Sequence, residues 1–453
     1  MAERVTVTTG TAAGGNPTGG PRVARYIIAG QTQFGPVSGP VVLTSMAAYA
    51  AAFGARSGGA NMYDAAEFFF ANNGGELVVQ RASGPSAVLS TVTLDTNKIT
   101  VTARHPGAYY DVITAAYTSA TTTLTLVKPS GTVTYVGATA AALQAAASQD
   151  PDVTVTVSAL PSGNVAATNL AGGTDDFANV SWATVLAKIG TSAGPGAVAT
   201  PGVTASAAAL AAHATATRRF ALLSTPQGQS VATTVTAQGN IAAADKQAAS
   251  YVGFWGTVAD GAGGLKVIDG VTYAATVRAK AQRTFGVGTS ALLRAAHRLV
   301  TGFTPLADVS DADHTTLNTA GVITARSLAN GVGIDVWATA AGVNNNSHLT
   351  GAQFRDMVDA VIDEGARVLD QFVGKGGSAL ELAAAAAALS GVCNAYRPWL
   401  TDNGDLDPGY KVSVSHGASI ADNRISATVS LRFVESIDFI DFTVIPASAD
   451  QNI

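Results

Sequence analysis

The sequence predicts an α/β protein in which a mostly buried sheet is interrupted by a β-rich insertion, followed by an α+β C-terminal part and framed by strand-forming ends. Three observations predict this. Strand and helix patterns alternate between Arg22 and Arg81 and resume after Gly172. The segment between them alternates Thr, Val and Ala and is nearly free of charge. Alternating β-branched and polar residues also occupy both extremes of the chain. Alternating strands and helices pack as layers, with the sheet buried between its helices.

At the front, Val5-Thr6-Val7-Thr8-Thr9 reads as a strand, followed by a Gly-rich linker over 10–20. An exposed strand offers unpaired N–H and C=O groups to a neighbour, so Val5, Thr6, Val7 and Thr8 are candidates for pairing between subunits. The linker would span ~35–40 Å if extended, enough to reach an adjacent subunit. A buried strand is expected over 23–29, then a loop at Gly35-Pro36 and Gly39-Pro40. Ser45 is a plausible N-cap for a helix through Phe53. A second helix carries Met62, Ala65, Ala66, Phe69 and Phe70 inward and stops at Asn72-Asn73-Gly74-Gly75, where left-handed backbone comes easily. Leu77-Val78-Val79-Gln80-Arg81 resumes as a strand.

Over 85–172 only three basic and four acidic side chains occur. Runs such as Leu124-Thr125-Leu126-Val127 and Val153-Thr154-Val155-Thr156-Val157 predict a small β-rich insertion with one Ala-rich helix near 138–147. Helices over 205–217 and 231–249 then flank the apolar run Phe220-Ala221-Leu222-Leu223. A boundary falls near Thr304-Pro305-Leu306. The best-defined C-terminal helix covers 350–372, with Phe354, Met357, Val358, Val361, Ile362, Val368, Leu369 and Phe372 on one broad face. On the other side Asp356, Asp359, Asp363 and Asp370 fall within roughly 60° of one another. That stripe reads either as a solvated face or as an electrostatic contact with a basic partner.

At the back, residues 425–433 alternate as a strand. Beyond them inward parity shifts from Ile437 and Phe439 to Ile440, Phe442 and Val444, which predicts a bulge or bend where a second pairing arm leaves the body. These five residues are the C-terminal pairing candidates.

Composition narrows the partners. Net charge is −5 and charged residues make up 13% of the chain, against a typical ~25%. Without a Lys/Arg stripe, neither nucleic acid nor an anionic membrane is expected as a direct partner. The start lacks the apolar core of a signal peptide, and the richest apolar run, 382–389, is too short to span a bilayer. The single cysteine, Cys393, leaves no intramolecular disulfide and no thiolate-rich zinc site, and reads as a small buried apolar side chain.

The chemistry-bearing motifs are weak. Gly190-Thr191-Ser192-Ala193-Gly194 matches a nucleophile-elbow pattern, but Pro195 and Gly196 follow where a helix is required, so a loop is expected. His105, His213, His297, His314, His348 and His416 lack metal-binding spacing. Asp308, Asp311 and Asp313, and Asp402, Asp405 and Asp407, read as polar loops; the latter lack the glycine and glutamate of a calcium loop. No catalytic residue, cofactor or metal ligand is expected.

Taken in order, several segments resemble the tail sheath proteins of contractile bacteriophage tails and related injection machines. They are Ile28-Ala29-Gly30, Gly35-Pro36, Pro40-Val41, Phe53-Gly54, Ala65-Ala66, Phe68-Phe69-Phe70, Asn73-Gly74-Gly75 and Val78-Val79-Gln80-Arg81. Leu170-Ala171-Gly172-Gly173-Thr174-Asp175 resembles the turn after that family's variable insertion. Leu317-Asn318 with Gly321-Val322, and Gly333-Ile334-Asp335-Val336-Trp337, resemble the start of its C-terminal part; Asn423-Arg424-Ile425 and Phe439-Ile440-Asp441-Phe442 resemble its end. The family's Pro-Gly-Val-Tyr-like opening is missing, and Ala338-Thr339-Ala340-Ala341 replaces its Gly-Ala-Arg-Thr-like run.

The resemblance implies a subtilisin-like α/β core without a catalytic triad over 23–84 and 173–305, and an outer inserted domain over 85–172. It further implies a tube-facing domain over 306–435, with arms at 1–22 and 436–453. Subunits would stack as hexamers in a six-start helix around an inner tail tube, between baseplate and tail terminator. The arms would complete neighbours' sheets. The implied location is a virion tail assembled in the host cytoplasm, and the acidic stripe becomes a candidate tube contact. Competing readings are a subtilisin-like hydrolase and a surface-layer or adhesion protein.

Overall fold

The structure is a computed structural model that describes residues 24–56, 61–260, 263–292, 299–328, 331–341, 351–373, 378–401, 407–416 and 425–433. From the front, β1 (Tyr26–Gly30), β2 (Val41–Leu43), α1 (Met46–Phe53), α2 (Asn61–Ala71) and β3 (Leu77–Arg81) follow one another; all but β2, a short edge strand where only a loop is expected, match the sequence reading. Ser45 caps α1, its hydroxyl accepting from the Ala48 N–H at 3.2 Å. After α2 the chain turns through Asn73 at φ 59° and Gly75 at φ 106°, backbone that asparagine and glycine adopt at least cost.

Strands β4 (Thr91–Leu94), β5 (Ile99–Ala103), β6 (Thr114–Thr118), β7 (Thr123–Lys128), β8 (Gly131–Val136), β9 (Val153–Val157) and β10 (Val165–Asn169), with helix α3 (Ala140–Ala147), form two antiparallel sheets. One runs β4-β5-β9 and the other β10-β6-β7-β8. Their inner faces share a core that includes Val101, Tyr117, Leu124, Leu143 and Val155. The polar residue of each Thr-Val pair points outward because successive side chains alternate faces.

Helix α4 (Trp182–Ala187), β11 (Ala197–Ala199), α5 (Ala207–Thr217), β12 (Phe220–Ser224), α6 (Val231–Gly239) and β13 (Ala249–Val252) return to the first sheet. Its order is β13-β12-β11-β1-β3-β2, parallel throughout except for β2. The expected helix over 231–249 is therefore too long. It ends at Gly239-Asn240, and the turns at Ala242 to Asp245 and Asp245 to Ala248 deliver Ala249 to β13.

β14 (Trp255–Ala259), β15 (Leu265–Asp269) and β16 (Thr304–Pro305) make a three-stranded sheet beside α7 (Gly270–Phe285). Small residues let α7 sink into the core, where twelve of its sixteen residues are buried. One face of the six-stranded sheet packs on α7, α1 and α2 through Tyr26, Ile28, Phe69 and Phe220. The other packs on α4 and α5 through Ile27, Val78, Val198 and Leu210. The rest comprises α8 (Asp311–Ala320), the β17 (Thr324–Leu328)–β18 (Gly331–Val336) hairpin, α9 (Ala352–Asp370), α10 (Ala379–Asn394), β19 (Tyr410–His416) and β20 (Ile425–Leu431).

Candidate assembly site

β19 and β20 pair in antiparallel register from Tyr410 opposite Leu431 to His416 opposite Ile425. Alternation splits the hairpin cleanly. Val412, Val414, Ile425, Ala427 and Val429 rest on Leu369, Ala385 and Leu389 of α9 and α10, whereas Lys411, Ser413, Ser415, Ser426, Thr428 and Ser430 face out. Among the described residues no third strand lies beside either edge. A two-stranded sheet is marginal by itself and its edges accept extended chain readily.

Both approaches to the chain ends are pinned at their roots. At the front, the buried Arg25 guanidinium donates to the Ala193 carbonyl at 2.6 Å and pairs with Glu76. At the back, the Thr401 N–H donates to the Arg432 carbonyl at 2.8 Å, the Thr401 hydroxyl donates to the Phe433 carbonyl at 3.0 Å, and the Phe433 ring stacks on Phe354. The pairing candidates Val5, Thr6, Val7, Thr8, Ile437, Phe439, Ile440, Phe442 and Val444 lie outside the described residues.

The acidic stripe needs correction, because it is neither a solvated face nor a surface. Asp356, Asp359 and Asp363 are only 2%, 3% and 7% exposed, so none can touch an outside partner; Asp370, at the end of α9, is half-buried. Asp356 accepts from Arg278 Nε at 2.8 Å and Nη2 at 2.6 Å, and from Gln282 Nε2 at 2.7 Å. Arg355 Nε donates to Asp359 at 3.0 Å. Burial pushes the Asp356 and Asp359 carboxyls up, against the pull of Arg278 on the first and Arg355 on the second. Helix α9 is thus covered on its acidic side by α7 and on its apolar side by α10 and the hairpin. The missed signal was Arg278 with Gln282, polar residues one turn apart on the buried side of α7, which demand partners in the interior.

The Gly190–Gly194 turn is the reverse of an oxyanion hole. Its carbonyls converge on cations: Arg219 Nε donates to Gly194 at 2.9 Å, Nη2 to Gly190 at 2.7 Å and Nη1 to Ile189 at 3.0 Å, while Arg25 takes Ala193. Ser192 is exposed and no α-helix follows it. His213 Nε2 accepts from Arg219 at 2.8 Å, and burial followed by that guanidinium pushes its pKa down to about 3. A donor-bound neutral imidazole is no base for a serine.

The remaining candidates are accounted for locally. Asp311 and Asp313 occupy the first turn of α8 behind its cap Ser310, Asp308 accepts from Ser327, and Asp407 pairs with Arg432. Asp402, Asp405, His297 and His348 lie outside the described residues. Among the described residues no cluster of His, Cys, Asp and Glu could hold a metal, and no helix is long and apolar enough to cross a membrane. Cys393 is buried, which pushes its thiol up to about 11.

Asp269 caps α7 from the interior, accepting from the N–H groups of Gly202 at 2.8 Å and Val271 at 3.1 Å and from the Ser224 hydroxyl. Burial outweighs these bonds and raises its carboxyl from 3.8 to about 6. Between those values the folded chain holds a proton that the unfolded chain has released. The resulting stability is fully present below the unfolded value and is lost as pH rises through the folded one, a swing on the order of 3 kcal/mol. Denaturant melts from about pH 4 to pH 8 should show this slope, and Asp269→Asn should flatten it.

No protein-family sequence model matches the chain, and no curated protein matches it. Among solved structures, the sheath tail protein from Listeria innocua is 14% identical over 93% of this chain and 94% of its own, with a TM-score of 0.65. That from Desulfitobacterium hafniense is 13% identical over 93% and 99%, at 0.59. A chain in the helical sheath of the anti-feeding prophage in its contracted state is 13% identical over 98% and 100%, at 0.55. The chain has the sheath tail protein fold over nearly its whole length.

Proposed function

We propose that this protein is a structural subunit of a contractile tail sheath, polymerised around an inner tube and contracting to drive that tube through a target envelope. The observation that carries this reading is the β19–β20 hairpin: a two-stranded sheet seated on α9 and α10 with both edges open among the described residues. It lies within a chain-long sheath fold whose terminal segments, 1–22 and 436–453, carry strand-forming sequence. A donated strand on each edge would turn a marginal ribbon into a stable sheet and link one subunit to two others.

In this reading the core, 23–84 with 173–305, is subtilisin-like without a triad and works without catalysis or cofactor. The insertion, 85–172, lies outside, and 306–435 faces the tube. Stacked hexamers in a six-start helix run from baseplate to terminator in a tail assembled in the host cytoplasm. Contraction repacks whole subunits into better-buried contacts while the arm pairings persist. With α9 turned inward, the tube contact falls to other surfaces, and the outward face of α10, with Ala383, Ala384, Ala387 and Gly391, offers it no charge.

Electron microscopy of the purified chain tests the reading. Full-length protein is expected to form striated tubes, whereas a chain lacking 1–20 should keep its circular dichroism spectrum yet form none. Connected, contractile sheaths from the truncated chain would exclude strand donation from the front.

A further inference from the structure

Helix α9 is tied to the six-stranded body by charge on a scale that apolar packing does not require. Arg278, 1% exposed, grips Asp356 with two parallel hydrogen bonds while Gln282 holds one of the same oxygens. One turn along, Asp359 is held by Arg355 of its own helix and sits with Asp363 in the field of Arg218, at the end of α5. Arg218 adopts φ 56° and ψ 63°, left-handed backbone that a non-glycine residue rarely takes. Arg219 enters the 189–194 turn, and both guanidiniums lie in the field of Asp359. A strained residue persists where its surroundings over-determine it.

We propose that the Asp356–Asp359–Asp363 column, with Arg278, Gln282, Arg218 and Arg355, is a register lock that fixes α9 on α7 and makes the hairpin-bearing C-terminal elements move with the six-stranded body as one piece. Apolar ridges allow neighbouring packings of similar energy, whereas a bidentate guanidinium–carboxylate pair accepts one position and one rotation. Replacing a buried pair of this kind by apolar groups of similar volume is often neutral or stabilising, so stability alone does not account for it. A second contact limits the same motion. Gly286 and Gly288, just past α7, approach the Trp399 ring so closely that a Cβ on either would lie 2.4 Å from it, and a Cβ on Gly288 would lie 2.5 Å from Met357 Sδ. The lock deepens the sheath reading and rests on it for its consequence: a rotation imposed on the body reaches the strand-accepting hairpin undiminished.

The test uses the full-length, unassembled chain carrying Cys393→Ser, with spin labels at the exposed positions Ala212→Cys on α5 and Ser413→Cys on β19. The parent should give one narrow distance distribution. The paired swap Arg278→Met with Asp356→Leu, which fills the site without charge, should keep the melting temperature while the distribution broadens or splits. If the swap fails to fold, Asp356→Asn, which preserves shape, is read the same way. A folded variant whose distribution stays as narrow as the parent's overturns the lock. A parent that gives a narrow distribution, with wild-type chain that forms no sheath, would instead overturn the sheath reading and leave the lock standing.

Discussion

Lysine in place of Asp359 is expected to leave almost no folded protein to recover. The position is 3% exposed, and Arg355, Arg218 and Arg219 already act on it. Removing one member of a buried ion pair costs about 3–5 kcal/mol because the partner is left uncompensated. A fourth cation there adds repulsion at low dielectric, and the whole fold has only about 5–15 kcal/mol to lose. Soluble yield and thermal melts of Asp359→Lys, beside Asp359→Asn, check this. The Asn variant should fold with a lowered melting temperature. A surface stripe would give the opposite result, a stable protein from either substitution.

Arg219→Ala should be nearly as damaging. Its guanidinium, fully buried and without a carboxylate partner in hydrogen-bond contact, satisfies three backbone carbonyls and His213. Burial, then the nearby Arg25, pushes its pKa down to about 10, so at neutral pH it stays charged. Truncation would strand those acceptors around a side-chain-sized void, at a cost of about 3–5 kcal/mol. Urea midpoints of Arg219→Ala and Arg219→Lys measure it. Lysine restores the charge but lacks the planar fork that reaches Gly190, Ile189 and Gly194 together, so it should recover only some of the loss.

Much of the fold was legible because its elements announce themselves locally. Ser45, Asn73 and Gly75 punctuate as their chemistry requires, and the Thr-Val alternation of β5, β7 and β9 shows directly which side faces inward. The extent of α6 was not legible, since the alanines after Gly239 suit a helix as well as the turns they make. The largest error concerned α9. Helical periodicity separates two faces but does not say that both are covered, and a carboxylate stripe reads as solvated until its cations are found. Arg355 lies one helical turn from Asp359 and reads as an ordinary surface pair, whereas Arg278 stands seventy-eight residues before Asp356, and no periodicity links those two. The hairpin's open edges follow from pairing partners, which single-sequence patterns leave open.

The pinning of Arg25 also has a mechanical consequence. β1 lies between β11 and β3 and is parallel to both. A pull transmitted through Arg25 along β1 would load the hydrogen bonds to two strands simultaneously, in shear, and the ion pair to Glu76 carries some of that load directly to the mouth of β3. Rupture then requires many bonds to fail together instead of one after another. The hairpin at the other end has a single ladder, which a pull across its strands can peel pair by pair. In the chain by itself, a pull on both ends would therefore open β19–β20 before it breaks the six-stranded body.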